Sequence, residues 1–189
     1  MKTIRTERLR LVPVTSANAG VLWEVLQEPD LRDYQDLPEV NRDQFLRYVA
    51  ARPTRLARGA VGRFEWLAYL AAGASPVGWV SLRIAEPSRS AGEIGYSIVR
   101  AHRARGLATE AVAALVAEAF SRAGLRRIRA YCLPENRASR AVLLRNGFQD
   151  EGRLARGATV QGRPVDVIAH ALERERWAAL TPNPQATRS

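Results

Sequence analysis

Residues 99–110 hold the side chains from which a chemical role can be argued most directly. The segment has the pattern of a junction between a strand and a long helix, and it carries Arg103, Arg105, Gly106 and Ala108. The first turn of a helix exposes backbone N–H groups at the positive end of the helix dipole, which favours an anion. Gly106 lets the backbone approach that anion without a Cβ, and Ala108 keeps the next turn small. The segment is therefore predicted to bind phosphate groups, with a solvated helix start as the alternative.

The phosphate ligand is not specified by a standard nucleotide motif. The pattern GxxxxGK(S/T) of nucleotide-binding loops is absent, and so is the dinucleotide pattern GxGxxG. The chain of 189 residues has a net charge of +10, and Lys2 is its only lysine. Such a charge favours an anionic partner, which includes nucleic acid, an acidic surface or a small polyphosphate. No nucleic-acid-binding motif is present, so nucleic acid is not the expected partner.

Cysteine and histidine are too few for a disulfide or a metal centre. Cys132 is the only cysteine, and His102 and His170 lack a third ligand in the sequence pattern. No apolar run approaches the roughly 18 residues of a membrane span, and the N-terminal stretch lacks the apolar core of a signal peptide. We therefore expect a cytoplasmic protein with no metal and no membrane partner.

The spacing of apolar residues predicts the order of the elements. It predicts strands at 4–14, 65–71, 77–85, 93–99, 128–133, 148–154 and 165–172, and helices at 16–26, 41–51, 106–123 and 136–145. Short turns make most strand neighbours antiparallel, whereas the helical crossover at 106–123 makes the strands around it parallel. We expect one α/β (α+β) domain over residues 1–180, with a mixed, mostly antiparallel sheet of about seven strands and about four helices. A disordered tail is expected at 181–189.

Three further stretches accompany the phosphate loop. They are Thr6-Glu7-Arg8-Leu9, Glu93-Ile94-Gly95-Tyr96 and Asn136-x-x-Ser139-x-x-x-Leu143-x-x-x-Gly147-Phe148. The loop pattern Arg103-x-x-Gly106-x-Ala108 resembles the pyrophosphate motif of the GNAT acetyltransferase family, Gln/Arg-x-x-Gly-x-Gly/Ala. The other stretches are similar to those of its RimJ/RimL-like branch, which acetylates the N-termini of ribosomal proteins. They occur in the expected order over residues 5–172, so the chain is identified as a member of this family.

The resemblance implies a site for acetyl-CoA as cosubstrate. In this family the two central parallel strands splay apart, and the pantetheine arm lies in the gap. The side chain of Asn136 would then hydrogen-bond the pantetheine, although asparagine also commonly caps a helix. The implied coenzyme-binding residues are Ile98, Val99 and Arg100 along the pantetheine, Arg103, Arg105, Gly106, Leu107, Ala108 and Thr109 at the pyrophosphate, and Asn136.

Direct transfer of an acetyl group from a thioester to an amine sets the catalytic requirements. The amine must be neutral, the oxyanion needs a donor, and the leaving thiolate needs a proton. Many relatives use a tyrosine as the proton donor, but Leu143 occupies the matching position here. The resemblance to the RimL-like branch gives that role to Ser139, with a surface serine as the alternative. It makes Glu93 the candidate base through water, with pairing to an arginine on the sheet as the alternative. Residues 156–161 contain no acid, whereas such relatives can carry one in this hairpin.

The resemblance favours an acetyl-CoA-dependent N-acyltransferase that acts on the N-terminal α-amine of a protein or peptide. A ribosomal protein is the candidate acceptor. The sequence is compatible with a homodimer. An enzyme of the same fold that acetylates a small amine, such as a polyamine, an aminoglycoside or an amino-acid-like compound, is the alternative. A non-catalytic acetyl-CoA-binding or basic nucleic-acid-binding module is disfavoured because both coenzyme motifs are intact.

Acidic residues are concentrated around the first two predicted helices. Seven of the 19 acidic residues lie between Glu24 and Asp43. In the family this region forms one wall of the acceptor cleft, and negative charge there would attract a cation. The hypothesis is an acceptor that is cationic beyond its reacting amine, and the alternative is that the acids solvate two surface helices.

Overall fold

The computed structural model describes residues 1–29, 40–86 and 90–181. Most of the acidic segment behind the cationic-acceptor hypothesis, residues 30–39, lies outside this range. The predicted tail lies outside it as well, apart from Thr181.

One mixed sheet of eight strands runs through the described residues. Its strands are β1 (Ile4–Arg5), β2 (Leu9–Pro13), β3 (Gly62–Leu70), β4 (Pro76–Ile84), β5 (Ala91–Ile98), β6 (Arg127–Cys132), β7 (Gln149–Val160) and β8 (Arg163–Glu173). The spatial order is β1-β2-β3-β4-β5-β6-β8-β7. All neighbours are antiparallel except β5 and β6, which are parallel. The predicted mixed sheet is confirmed, with one strand more than expected.

The additional strand arises because the predicted strand at 4–14 folds back on itself. Ile4 pairs with Leu11, and Arg5 pairs with Arg10. Thr6 closes the turn, since its N–H donates to the Leu9 carbonyl at 2.9 Å and its hydroxyl accepts from the Leu9 N–H at 3.0 Å. Residues 5–8 are four polar residues in a row, and the apolar positions change from even-numbered Ile4 to odd-numbered Leu9 and Leu11. This break in the alternation coincides with the turn, and the prediction of one strand over 4–14 passed over it.

Five α-helices lie in the described ranges. They are α1 (Ala19–Leu26), α2 (Arg42–Ala50), α3 (Leu107–Ser121), α4 (Arg137–Arg145) and α5 (Arg174–Leu180). The pattern predicted the first four, and α5 was missed because it begins directly after β8 with no turn residues between them. Trp177 anchors α5, with its ring centroid 5.2 Å from that of Phe120 on α3. None of the described helices combines the length and the apolar character needed to cross a membrane.

The two faces of the sheet pack against different helices. Even-numbered residues of the central strands, such as Phe64, Val80 and Ile94, form a core with α3. The odd-numbered Leu67 and Trp79 form a second core with α1 and α2. This parity follows from the period of two along a strand, and it decides which side chains can reach each face.

The parallel strands β5 and β6 stay together only near their first residues. The pairing runs from Ala91 opposite Arg127 to Glu93 opposite Arg129 and then ends. Beyond that point β6 continues to pair with β8 as far as Cys132, while β5 continues beside β4. A gap therefore opens in the middle of the sheet, as the resemblance implied.

Candidate active site

A cleft of about 930 Å³ lies at the gap between β5 and β6. Its lining comes from β3, β4 and β5, the turn before α3, the first turn of α3, the end of β6, α4 and the β7–β8 hairpin. The predicted site residues in this lining are Glu93, Ile98, Arg103, Gly106, Leu107, Ala108, Thr109, Asn136 and Ser139. Val99, Arg100 and Arg105 are not part of it, and their contact with the coenzyme stays a prediction.

The turn between β5 and α3 has a left-handed backbone at two positions. A 3₁₀ turn covers Arg100–His102, and the φ angles of Ala104 and Gly106 are +58° and +75°. Glycine adopts this region readily, whereas each L-residue with a side chain does so at a cost of about 1–2 kcal/mol. The Arg103 Nε donates to the Ile98 carbonyl at 2.9 Å, which ties the turn to the end of β5. The turn therefore holds the first backbone N–H groups of α3, which lack intrahelical acceptors, at the wall of the cleft.

The stretch from Thr6 to Leu9 is fastened to this same turn. Glu110 on α3 accepts from the Thr6 hydroxyl at 2.6 Å, from the Arg8 N–H at 2.8 Å and from the Arg8 Nε at 2.6 Å. The Arg8 Nη1 also donates to the Arg105 carbonyl at 2.7 Å. Burial opposes the ionisation of Glu110, but these hydrogen bonds outweigh it and lower the pKa of the carboxyl. Sequence reasoning assigned this motif to the family without seeing its contact, which joins residues 104 positions apart.

Ser139 lies against Tyr96, to which the sequence analysis gave no role. The Tyr96 hydroxyl is 2.9 Å from Ser139 Oγ, and it donates to the Ser139 carbonyl at 3.1 Å. Both residues line the cleft. Burial raises the pKa of Tyr96, partly opposed by the hydrogen bond to Ser139, so the phenol stays protonated. The sequence did contain a signal for Tyr96, because Tyr96 ends the stretch Glu93-Ile94-Gly95-Tyr96. It lies in the part of β5 beyond the last residue paired with β6.

Asn136 caps α4 and also faces the cleft. Its Oδ1 accepts from the Ser139 N–H at 3.0 Å, which confirms the capping interpretation. Its Nδ2 has no hydrogen-bond partner in the described parts of the chain and stays available to a ligand. Leu143, at the position of the tyrosine in relatives, is completely buried in the core.

Glu93 pairs with an arginine of the neighbouring strand. Arg83 lies opposite Glu93 in the register of β4 and β5, and its Nη2 donates to the Glu93 carboxylate at 2.7 Å. This hydrogen bond raises the pKa of Arg83. The predicted alternative, in which Glu93 forms an ion pair with an arginine of the sheet, is therefore observed. Glu93 also lines the cleft, so its role as a base stays a prediction.

Cys132 and His170 are buried, whereas His102 is half-buried and lines the cleft. Cys132 lines the cleft, and burial raises the pKa of its thiol. His170 has no exposed surface, and burial lowers its pKa. Among the described residues, no three His, Cys, Asp or Glu side chains are grouped as metal ligands.

Comparison with known proteins agrees on one class. The model of the acetyltransferase (GNAT) domain family matches residues 8–149. An uncharacterized N-acetyltransferase of Bacillus licheniformis, p20, is 28% identical over 94% of this chain and 99% of its own length. The ribosomal-protein-serine acetyltransferase of Escherichia coli is 33% identical over 50% of this chain and 53% of its own. The structure of RimL, a ribosomal L7/L12 α-N-protein acetyltransferase, in complex with coenzyme A has a TM-score of 0.77 at 22% identity, over 90% of this chain and 97% of RimL.

The splayed sheet and these matches define an acetyl-CoA-dependent acetyltransferase. We call the turn at residues 99–106, for which phosphate binding is predicted, the phosphate turn. The matched region includes Arg8, the phosphate turn and all of α4. The chain belongs to the GNAT acetyltransferase family.

Proposed function

We propose that this chain transfers the acetyl group of acetyl-CoA to the N-terminal α-amine of a protein, with a ribosomal protein as the first candidate. The observation that carries the proposal is a single cleft that connects the phosphate turn to the Tyr96–Ser139 pair and to an open face of the sheet. The protein acceptor is supported by the Escherichia coli relative that bears the name ribosomal-protein-serine acetyltransferase. A ribosomal acceptor places the reaction in the cytoplasm.

The described residues fit the coenzyme as a substrate. The diphosphate would meet the N–H groups of the first turn of α3, the positive end of that helix dipole and the guanidinium of Arg103. A Cβ at Gly106 would stand 3.3 Å from Arg8 Nη2 in a backbone region unfavourable to side chains, so glycine preserves the turn. The pantetheine would lie alongside β5, in the gap that opens beyond Glu93. Asn136 Nδ2 offers a hydrogen-bond donor there.

The chemistry is a direct transfer. The neutral amine attacks the thioester carbonyl carbon, so that the C–N bond forms while the C–S bond breaks. The proton lost by the amine passes to water and Glu93, and then to solvent. Ser139 Oγ gives its proton to the departing sulfur and regains one from solvent, so that the enzyme returns to its starting state. The Tyr96 hydroxyl lies 2.9 Å from Ser139 Oγ and donates to the Ser139 carbonyl, and it thereby positions the serine. The products are the acetylated amine and the free thiol of coenzyme A.

The test is an acceptor screen that detects the thiol released from acetyl-CoA. Peptides with ribosomal N-terminal sequences are compared with the same peptides blocked at the α-amine, and with polyamines and aminoglycosides. We expect release with the free peptides alone, and fragment masses that place the acetyl group on the α-amine. Equal release from the blocked peptides, or transfer only to the small amines, would overturn the protein acceptor.

A further inference from the structure

The cleft has a second end, away from the phosphate turn. Its lining there comprises Arg63 on β3, Trp79, Ser81 and Arg83 on β4, and Glu93 on β5. These odd-numbered residues share the sheet face that packs against α1 and α2 elsewhere. Because the proposed function places acetyl-CoA at the first end, the amine enters at the second. What this end recognises therefore rests on the proposed function.

Three charged residues stand side by side across this face. Arg63 lies opposite Arg83 in the register of β3 and β4, and Arg83 lies opposite Glu93 in that of β4 and β5. Opposite residues on one face are within reach of each other's side chains. The hydrogen bond from Arg83 Nη2 to Glu93, at 2.7 Å, orients the Arg83 guanidinium along this row.

A buried carboxylate holds the first arginine of the row. The Arg63 Nε donates to Glu65 at 2.9 Å, and its guanidinium lies 5.9 Å from the ring centroid of Trp79. Glu65 is only 4% exposed and also pairs with Arg52. Burial lowers the pKa of Arg63, and burial lowers the pKa of Arg52 to about 10 with a further contribution from Arg63. A guanidinium is not deprotonated in proteins near neutral pH, so both side chains carry a positive charge.

The charged groups that line this end have a surplus of positive charge with accessible donors. Arg63, Arg83 and Glu93 leave one net positive charge, and Arg52 and Glu65, which lie outside the lining, cancel each other. Arg63 uses Nε and Arg83 uses Nη2, and their other N–H groups have no hydrogen-bond partner in residues 1–29, 40–86 and 90–181. The side chains of Arg63 and Arg83 are 42% and 59% exposed.

A guanidinium held at one nitrogen, with its other donors accessible, is well suited to bind a carboxylate. We propose that Arg63 and Arg83 form an anion-binding subsite for the acceptor, so that preferred acceptors carry a carboxylate close to the reacting amine.

The position of the row limits where that carboxylate can be. Glu93 precedes Tyr96 by three residues on β5, about 10 Å along an extended strand, which is the span of about three residues of an extended peptide. The two side chains leave opposite faces of the sheet, so the acceptor would reach Tyr96 through the gap beside β5. A Cβ at Gly95 would stand 2.9 Å from Ser81 Oγ, so glycine leaves the floor between the row and Tyr96 open. The carboxylate is then an acidic side chain among about the first four residues of a peptide, or the α-carboxylate of a free amino acid. This charge preference is opposite to that of the hypothesis based on the seven acidic residues between Glu24 and Asp43.

The experiment moves one aspartate along a peptide. Peptides with an N-terminal serine carry Asp, Asn or Lys at successive positions in a neutral background, and a free amino acid is compared with its α-amide. We expect kcat/KM to favour Asp over Asn near the N-terminus by about tenfold, as for the loss of a charge-assisted hydrogen bond. The preference should disappear about six residues from the amine and shrink as salt is added.

Two variants assign the preference to the arginines. Arg63→Gln and Arg83→Gln should each lower the Asp/Asn ratio towards one. Arg83→Gln should disturb folding less than Arg63→Gln, because exposed ion pairs contribute little to stability. Thermal unfolding shows whether Arg63→Gln is still folded. Arg83→Gln also leaves the Glu93 carboxylate unpaired, and that charge would itself disfavour Asp. The ratio in Arg63→Gln, which keeps the Arg83–Glu93 pair, therefore decides whether the arginines recognise the carboxylate. Arg122→Gln is the matched control, since Arg122 is 43% exposed and pairs with Glu118 outside the cleft.

The outcomes separate the subsite from the proposed function. Acetylated peptides without a preference for Asp, or with a preference for Lys, would overturn the subsite and leave the proposed function standing. An Asp preference that survives both glutamine variants would also overturn the assignment. Transfer only to the free amino acid, and not to its amide or to peptides, would support the subsite and overturn the protein acceptor. Transfer to no amine would overturn both.

Discussion

Replacing Glu110 by glutamine tests how the phosphate turn is held. The variant Glu110→Gln keeps the shape of the side chain and one carbonyl oxygen that can accept from Thr6 and from the Arg8 N–H. Its amide NH₂ would then face the Arg8 Nε, so that a donor replaces the acceptor. Arg8 loses its partner there, and its contact with the Arg105 carbonyl is weakened as well.

The size of the effect follows from one charge-assisted hydrogen bond. Such a bond contributes about 1.5–3 kcal/mol where solvent is excluded. The Arg8 side chain is 47% exposed and that of Glu110 is 15% exposed, so screening reduces the loss to about 1 kcal/mol. If this free energy holds the turn in its binding conformation, the dissociation constant of acetyl-CoA rises about fivefold. The kcat at saturating acetyl-CoA should not change, because the turn does not contact the reacting atoms.

Calorimetric titration with coenzyme A measures this change, and the same helix supplies a control. Glu118 pairs with Arg122 at 2.5 Å, and the two side chains are 16% and 43% exposed, close to the values for Glu110 and Arg8. Glu118→Gln should therefore match the loss of stability and leave coenzyme affinity unchanged. An unchanged affinity in Glu110→Gln, or an equal weakening in the Glu118 variant, would refute the reasoning.

The pKa of Glu110 adds a pH dependence to this prediction. Because the folded-state pKa lies below the ordinary value of 4.5, the contribution of the carboxylate is complete above that value. It is lost as the pH falls through the lowered pKa. The dissociation constant of the Glu110→Gln variant, divided by that of the wild type, should therefore stay constant above pH 4.5. It should fall towards one only as the pH drops through the lowered pKa of Glu110.

Three further predictions test the rest of the site. Gly106→Val places a branched side chain at a φ of +75° and should weaken acetyl-CoA binding about tenfold. Gly59→Val is the control, because it introduces a side chain at a φ of +78° with no atom within 4 Å. Calorimetry should find its affinity for coenzyme A unchanged. Equal affinities in the two valine variants would remove the turn from the site. Ser139→Ala should lower kcat more than it raises the KM of acetyl-CoA, because a donor to the thiolate acts in the transition state, and Tyr96→Phe should share this loss. Single-turnover rates that stay at the wild-type value would exclude that pair. Glu93→Gln should shift the acidic limb of the kcat/KM profile, and an unaltered profile would leave Glu93 with its sheet pairing alone.

Local patterns predicted the scaffold. The change from a period of two to helical spacing after residue 99 placed β5 and α3, and Gly106 marked the junction between them. These features depend on residues within a few positions of one another, which is why they can be read along the chain. The prediction of one strand over 4–14 missed the turn at Thr6, although residues 5–8 are four polar residues in a row. A strand of two residues, Ile4–Arg5, is too short to show a period of its own.

The partners of the site residues were decided by the tertiary structure. Glu110 meets Thr6 across 104 positions, and Tyr96 meets Ser139 across 43. The sequence identified Glu93 as either a base or the partner of an arginine, and the register of β4 and β5 placed Arg83 opposite it. A shift of one residue in that register would turn the opposing side chains to the other face, so no local pattern can specify such a pair. The sequence determines which groups are available for chemistry, and the packing of the sheet determines which of them come within hydrogen-bonding distance.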